Sequence, residues 1–347
     1  MLKAGIIGFG VMGKKHCQCY QMMRDVKVVS ICETNPIKKD NTSHAAANVG
    51  KKDVELDLSN VNIYKDYRQM LMEEELDLVS ITLPTFMHAD FTVQALEAGL
   101  HVLCEKPMAL SLEECRLMMK EAEKSGKKLQ IGHCIRFWPE YVKTKEIIDS
   151  GRYGKVKAAA FQRLSSFPTW GWKNWQQDGD KNGGAMMDLH IHDTDIILHW
   201  FGLPTSVFTS ATKGPSGNFD HINTHYAYTD GKTVVAEASW LMAPSFGFKM
   251  AFTLVLENAT IIYDSTSKSK LKIYTLENET FTFPAQQKDA YWYQIEHFIN
   301  NLRGEQTLEI ISPQQAYETV RTALAEKQSA TERKAVDLES SLVFNSY

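Results

Sequence analysis

The run Gly183-Gly184-Ala185-Met186-Met187-Asp188-Leu189-His190-Ile191-His192-Asp193-Thr194-Asp195 concentrates acid–base groups in a short stretch. On a helix, Asp188, His192, Asp195 and His199 share one stripe. An aspartate one turn from a histidine orients the imidazole and raises its basicity, which suits a proton acceptor near neutral pH. His190 lies about 200° around the axis from His192 and faces elsewhere, as a second candidate base. Two other readings compete: a helix with a polar solvent face, and a metal-hydrolase site built on His190, His192 and the nearby aspartates. Ligands at i and i+2 share a face on a strand rather than on a helix. The preceding glycine pair and the repeat Met187, Ile191, Ile197, Leu198 read as helix, so no metal is expected.

A second chemical group sits in His101-Val102-Leu103-Cys104-Glu105-Lys106-Pro107, where a strand delivers a lysine at its carboxyl end. Ligands of open α/β sheets bind at that end. A lysine there can hold a substrate hydroxyl and favour its alkoxide electrostatically; an ordinary surface lysine in a turn is the plainer alternative. A third group is Gly8-Phe9-Gly10-Val11-Met12-Gly13, three glycines at dinucleotide-binding spacing between an apolar strand and a helix. Gly8 closes the strand, Gly10 admits a pyrophosphate, and Gly13 lets the helix pack closely with its N-terminus towards the phosphates. A second strand ends in Glu33, 20 residues past Gly13, where a carboxylate accepts the ribose hydroxyls and repels a 2′-phosphate. NAD is thereby preferred without excluding NADP. A Gly-rich turn that binds no dinucleotide is the alternative.

These groups need a frame. The 347 residues allow two cores, since single domains cluster around ~100–150 residues. Residues 1–133 alternate short β-rich runs with helical stretches, the pattern of a parallel sheet covered on both faces. Strands are expected at Lys3–Ile7, Val26–Cys32, Leu76–Thr82, His101–Cys104 and Lys128–Ile131, and helices at Val11–Met23, Tyr67–Met72, Ala89–Ala98 and Leu112–Lys124. Ser111 caps the last helix with Glu114 three residues on. The polar segment Ser43–Leu58 carries no clear pattern.

Residues 134–347 form the second domain, with a helix at Pro139–Ser150 and then period-2 strands at Val156–Ser165, Ser206–Lys213, Ile222–Tyr228, Thr233–Leu241, Lys249–Leu256 and Thr260–Tyr263. The helices Gly184–Trp200, Ala290–Leu302 and Pro313–Ser329 complete it. The expected fold is therefore an α/β dinucleotide-binding domain followed by an α+β domain with a large, mostly antiparallel, open sheet. Helices on one side leave a sheet face for solvent or for a second subunit. Tyr226, Tyr228, Trp240 and Phe252 are candidates for that face and for a homodimer or homotetramer built on it; the alternative points them inward.

The net charge of −4 and dispersed lysines and arginines exclude the basic stripe of a nucleic-acid binder. No apolar run reaches the ~20 residues that cross a bilayer, and no cleavable leader is read at the start. A cytoplasmic protein with a small-molecule substrate is expected. The six cysteines, Cys17, Cys19, Cys32, Cys104, Cys115 and Cys134, form no CxxC pair and read as buried thiols of a reducing compartment.

With Gly8-x-Gly10-x-x-Gly13, Pro84-Thr85-x-x-His88, Glu105-Lys106-Pro107 and Gly183-Gly184-x-x-x-Asp188-x-x-x-His192-x-x-Asp195 in this order, the chain resembles the glucose-fructose oxidoreductase / inositol dehydrogenase / rhizopine-catabolism (Gfo/Idh/MocA) family over nearly its whole length. The resemblance implies a Rossmann domain, a C-terminal domain whose open sheet joins subunits, and an active site in the cleft between the domains. It implies an NAD(P)-dependent oxidoreductase acting on a secondary hydroxyl of a sugar, inositol or related polyol. Lys106, Asp188 and His192 take the places of that family's catalytic residues. Cofactor contacts implied in this way come from Gly8, Phe9, Gly10, Val11, Met12, Gly13, Glu33, Thr82, Pro84, His88, Glu105 and Lys106. For the substrate, the loop Phe167 to Trp175 holds three indoles, of which Trp172 and Trp175 suit stacking on a sugar ring. Arg136 either positions substrate or anchors the helix after it. A non-catalytic dinucleotide sensor of the same fold is the rival function, and the joint presence of Lys106, Asp188 and His192 speaks against it.

Overall fold

The computed structural model describes residues 1–37, 56–169, 172–284, 288–305 and 309–338. Of the unassigned segment, residues 43–55 lie outside the described ones. The chain divides into two compact units, Met1–Cys134 with Lys288–Tyr317, and Ile135–Gln287 with Glu318–Tyr347.

In the first unit, β1 (Leu2–Ile7), α1 (Val11–Gln21), β2 (Val26–Cys32), β3 (Asn62–Tyr64), α2 (Tyr67–Glu73), β4 (Leu78–Ile81), α3 (His88–Glu97), β5 (His101–Glu105), α4 (Leu112–Ser125) and β6 (Leu129–Gly132) follow the expected alternation. All strand pairs are parallel, in the order β3-β2-β1-β4-β5-β6. This order reverses direction between β1 and β4, which opens a crevice at the carboxyl ends of the strands. The edge strand β3 escaped the sequence reading because three half-exposed or exposed residues carry no periodicity. The cap of α4 forms as read: Glu114 donates its amide to Ser111 Oγ at 3.2 Å and its carboxylate accepts from the Ser111 amide at 3.2 Å.

The second unit contains α5 (Pro139–Ser150), β7 (Val156–Ser165), α6 (Gly179–Asn182), α7 (Ile191–Phe201), β8 (Ser206–Lys213), β9 (Phe219–Ala227), β10 (Thr233–Ser239), β11 (Phe248–Leu256), β12 (Ala259–Asp264), β13 (Leu271–Thr275) and β14 (Thr280–Thr282). After α8 (Ala290–Leu302) come α9 (Pro313–Glu332) and β15 (Val336–Asp337). The sheet runs β14-β13-β12-β11-β7-β10-β9-β8-β15. Among the described residues only the central β7–β10 pair is parallel, so the sheet is mostly antiparallel, as expected.

Two expectations are corrected here. The second domain is not one continuous run from 134 to 347, because α8 returns to the first unit. Ile295, Phe298 and Ile299 of α8 bury their apolar stripe with Ile6, Phe9, Tyr20 and Val28, a gain of roughly 1.5–3 kcal/mol for each large apolar side chain. The four aromatics proposed for an outer sheet face do not form one. Tyr226, Trp240 and Phe252 are buried, and Phe252 packs edge-on against Trp200 and Tyr141. Tyr228 is half-buried and donates to the Gly202 carbonyl at 3.0 Å. Strand parity explains the error: Ile222, Thr224 and Tyr226 share one side with Val234, Ala236 and Ala238 across the β9–β10 ladder, and that side faces inward. The outward side instead carries Phe208, Val255 and Tyr274, each about two-fifths exposed.

Candidate functional site

Gly8 ends β1 at φ +89, a conformation that favours glycine, and its amide donates to the Cys32 carbonyl at 2.9 Å. A Cβ on Gly13 would lie 2.1 Å from the Gly8 carbonyl oxygen, so α1 sits tight against the loop only because Gly13 has none. Above Gly10 the opposite holds: a Cβ there would meet no atom within 4 Å. Gly10 is also the N-cap of α1 and supplies no side-chain cap. An open approach to uncapped helical amides suits a pyrophosphate, and the loop fits a dinucleotide on these grounds. Val11 and Met12, in the first turn, are half-buried.

Glu33 follows β2 and closes over the same loop. One carboxylate oxygen accepts from the Phe9 amide at 2.8 Å, the other from the Asn35 amide at 2.8 Å and from Asn35 Nδ2 at 3.0 Å. The acidic group thus stands at the end of β2, beside the glycine loop. Replacing Glu33 by alanine is expected to weaken NAD binding and to shift the NAD/NADP affinity ratio towards NADP by about tenfold, since the repulsion of a 2′-phosphate goes with the charge. Fluorescence titrations with NADH and NADPH read this directly; an unchanged ratio would mean that the carboxylate serves only the loop.

Several residues named for cofactor contact support the loop from within. The Phe9 ring lies in the core and its amide is taken by Glu33. Thr82 Oγ1 donates to the Gly8 carbonyl at 2.6 Å. Pro84 precedes a short turn, Thr85–Met87. His88 is buried, with Nδ1 2.8 Å from the Pro107 carbonyl and Nε2 2.9 Å from the Leu83 carbonyl, and burial pulls its pKa down. The Phe9 and His88 side chains are buried, and both support the glycine loop and the neighbouring turns from within. His88 ties the turn after β4 to the turn that carries Lys106.

At the end of β5, Glu105 is buried and Lys106 half-buried, and the Lys106–Pro107 bond is cis. Glu105 Oε1 lies 3.0 Å from His16 Nε2, and Oε2 accepts from the Lys106 amide at 3.3 Å. Burial pushes this carboxyl up, yet the His16 hydrogen bond, with Lys106 and His88 nearby, outweighs it and holds the group below the usual carboxylate range. His16 Nδ1 meets Ser80 Oγ at 3.0 Å, and Ser80 Oγ meets the Tyr20 hydroxyl at 2.7 Å. The sequence reading passed over these three residues. Their signal was the inward periodicity Gly13, His16, Tyr20 on α1 and a lone serine inside the apolar run of β4.

In the second unit, α7 is preceded by a π-helical turn, Met186–His190, a widening common at functional sites. Asp188 and His192 are half-buried. Every other polar residue from 190 to 195 is buried and bonded within the unit. His190 Nε2 lies 3.2 Å from Glu326 Oε2 and 3.3 Å from both Tyr226 Oη and Thr224 Oγ1. Glu326 also accepts from Tyr226 at 2.7 Å and from Thr194 at 3.1 Å. Asp193 takes the Arg163 guanidinium on both oxygens, at 3.0 and 2.7 Å. Asp195 takes Arg136 in the same way, both bonds at 2.9 Å, and accepts from Thr319 at 3.0 Å. Burial and the neighbouring Arg136 pull His199 down to about 4.

The expected four-residue stripe is therefore broken at Asp195, because a helix packed on more than one side buries polar residues that a single amphipathic face would expose. His190 is corrected as a second base: its imidazole is committed to the Glu326 cluster. Among the described residues no three His, Cys, Asp or Glu side chains gather to hold a metal ion. The Arg136 guanidinium is buried and bonded to Asp195. The Trp172 side chain lies outside the described residues; Trp175 is half-buried and its carbonyl accepts from Asn182 Nδ2 at 3.1 Å. All six cysteines are buried free thiols, and burial pushes Cys17 up to about 12. No helix among the described residues is long and apolar enough to cross a membrane.

Comparison with known proteins places these features. Residues 2–133 match an oxidoreductase family with an NAD-binding Rossmann fold, and residues 141–262 match the GFO/IDH/MocA C-terminal domain. The chain is 27% identical over 359 residues to the D-glucoside 3-dehydrogenase of Escherichia coli strain K12, covering 97% of both proteins. It is 30% identical over 203 residues to the inositol 2-dehydrogenase of Salmonella typhimurium strain LT2, spanning 57% of this chain and 54% of that one. The structure of levoglucosan dehydrogenase in complex with NADH and levoglucosan shares the fold, with a TM-score of 0.80, 19% identity, and coverage of 97% of this chain and 99% of that one.

Proposed function

The chain belongs to the Gfo/Idh/MocA family of NAD-binding oxidoreductases, and from that premise we propose that it oxidises a secondary alcohol on a sugar or cyclic polyol ring, or reduces the matching ketone, with NAD as the preferred cofactor. The observation that carries this reading is the contrast along one helical segment. His190, Asp193, Thr194 and Asp195 are buried in internal bonds, while Asp188 and His192 alone keep exposed surface between positions 188 and 195 among the titratable residues. The names of two relatives, a glucoside 3-dehydrogenase and an inositol 2-dehydrogenase, support a ring secondary alcohol, as does the tryptophan-rich loop that precedes the segment.

In this reading the nicotinamide, when bound, accepts or returns the hydride. The glycine loop and α1 hold the pyrophosphate, and Glu33 holds the adenosine ribose. Lys106 donates to the reacting hydroxyl and stabilises developing negative charge on its oxygen. His192 takes the proton from that oxygen, or returns it when the ketone is reduced. Asp188 holds the substrate or the imidazole in place. The test is nicotinamide absorbance with a panel of glycosides, inositols and their keto forms. Turnover of one ring alcohol with NAD is expected; binding of NADH with no turnover across the panel would favour the sensor function.

For assembly we propose a homodimer or homotetramer on the outer face of the second unit's sheet. Phe208, Val255 and Tyr274 give that face apolar area which helices do not cover on this side. Equilibrium sedimentation at micromolar concentration is expected to give at least a dimer mass, and lysine at positions 208 and 255 together is expected to shift it towards monomer. A monomer before any substitution would overturn the assignment.

A further inference from the structure

We propose that the buried series Tyr20, Ser80, His16 positions the Glu105 carboxylate as a fixed negative charge that favours the oxidised, cationic nicotinamide over the reduced, neutral one. The inference rests on the reading above in one respect, that the nicotinamide half of the cofactor lies at the carboxyl ends of β4 and β5.

For a neutral His16 ring the order of the hydrogen bonds follows from the carboxylate outward. A carboxylate only accepts, so the 3.0 Å contact to Glu105 requires a proton on His16 Nε2. In a neutral ring Nδ1 then accepts, and its partner at 3.0 Å is the Ser80 hydroxyl. The Ser80 oxygen in turn accepts from the Tyr20 hydroxyl at 2.7 Å. Burial raises the Tyr20 pKa, which keeps that phenol a donor. With the ring neutral, every bond points one way, from Tyr20 to Ser80 to His16 to Glu105. Tyr20, Ser80 and His16 are 0% exposed and Glu105 6% exposed, so no water competes for these bonds. The series selects one imidazole tautomer and one ring orientation, as a second shell does for a metal-binding histidine. Gly132 leaves room for the carboxyl, since a Cβ there would come within 3.1 Å of Glu105 Oε1.

A buried carboxylate is costly and persists where its bonds compensate it. The proposed chemistry does not use Glu105 as an acid or a base, which leaves its charge as its contribution. Only the oxidised ring carries a positive charge. An anion near it in a medium of low dielectric therefore acts on one redox form and hardly on the other.

The test compares affinities for NAD and NADH in the full chain, by calorimetry for the first and by fluorescence for the second. Glu105→Gln is expected to raise the Kd for NAD about tenfold relative to that for NADH. His16→Leu removes the donor and is expected to move the ratio in the same direction by a smaller factor. His16→Gln, whose amide still donates, is expected to stay near the unsubstituted protein. If His16→Leu does not fold, Ser80→Ala replaces it, since loss of that donor releases the tautomer and shifts the ratio in the same sense. Equal weakening of both forms by Glu105→Gln would leave Glu105 at the nicotinamide but overturn the charge effect. Unchanged affinity for both would overturn the placement itself. A ratio that responds to Glu105→Gln but to neither His16→Leu nor Ser80→Ala would overturn the positioning role of the buried series.

Discussion

Replacing His192 by alanine is expected to lower turnover by ~10²–10⁴-fold while leaving NADH affinity nearly unchanged. In the proposed reaction this variant lacks the group that accepts the alcohol proton. The affinity is expected to be spared because the groups proposed to hold the cofactor, the glycine loop, Glu33 and the β5 turn, all belong to the other unit of the chain. His190→Ala is the informative companion. His190 is fully buried beside Glu326, Tyr226 and Thr224, so its removal takes one partner from each of these groups, leaves a cavity in the unit and is expected to cost stability. Steady-state kinetics beside thermal unfolding separates the two: His192→Ala should fail in turnover with an ordinary melting temperature, His190→Ala the reverse. Full activity in His192→Ala would remove it from the proposed chemistry.

The second large effect concerns the frame that holds α7. Arg163→Leu leaves Asp193 buried without its guanidinium and is expected to destabilise the second unit by ~3–5 kcal/mol, the usual result of breaking a buried ion pair from one side. The pair is buried on both sides, at 2% and 0% side-chain exposure. The double variant Arg163→Leu/Asp193→Leu removes both charges and is expected to recover most of the loss, because well-packed apolar residues in place of a buried pair are often neutral or stabilising. Denaturant unfolding measures both variants. A single variant within ~1 kcal/mol of the unsubstituted protein would mean that water or another cation reaches Asp193. The functional consequence is indirect: α7 carries His192, and a loosened helix lowers turnover without touching the reacting atoms.

Local patterns made much of this legible. The alternation of the first unit, the capping box of α4 and helix α5 at Pro139–Ser150 could be read directly, because each depends on neighbours within a few residues. The glycine loop was legible for the same reason: the spacing of three glycines encodes a backbone path. Parity misled the reading of Tyr226, Trp240 and Phe252, since period-2 alternation separates the two sides of a strand but does not say which side receives the helices. The short strands β3, β14 and β15 left no periodic trace. The extra residue of the π-helical turn is invisible to a count based on 3.6 residues per turn.

By itself the sequence determined most of the order of strands and helices and the dinucleotide loop, which are properties of short windows. Tertiary structure alone decided which charged residues are spent inside the protein. Arg136 and Asp195 are 59 positions apart, His16 and Glu105 are 89 apart, and His190 and Glu326 belong to different helical segments. No local pattern pairs such groups. They are brought together by the burial of apolar surface around them, and once water is excluded an unpaired charge or donor is too costly to keep.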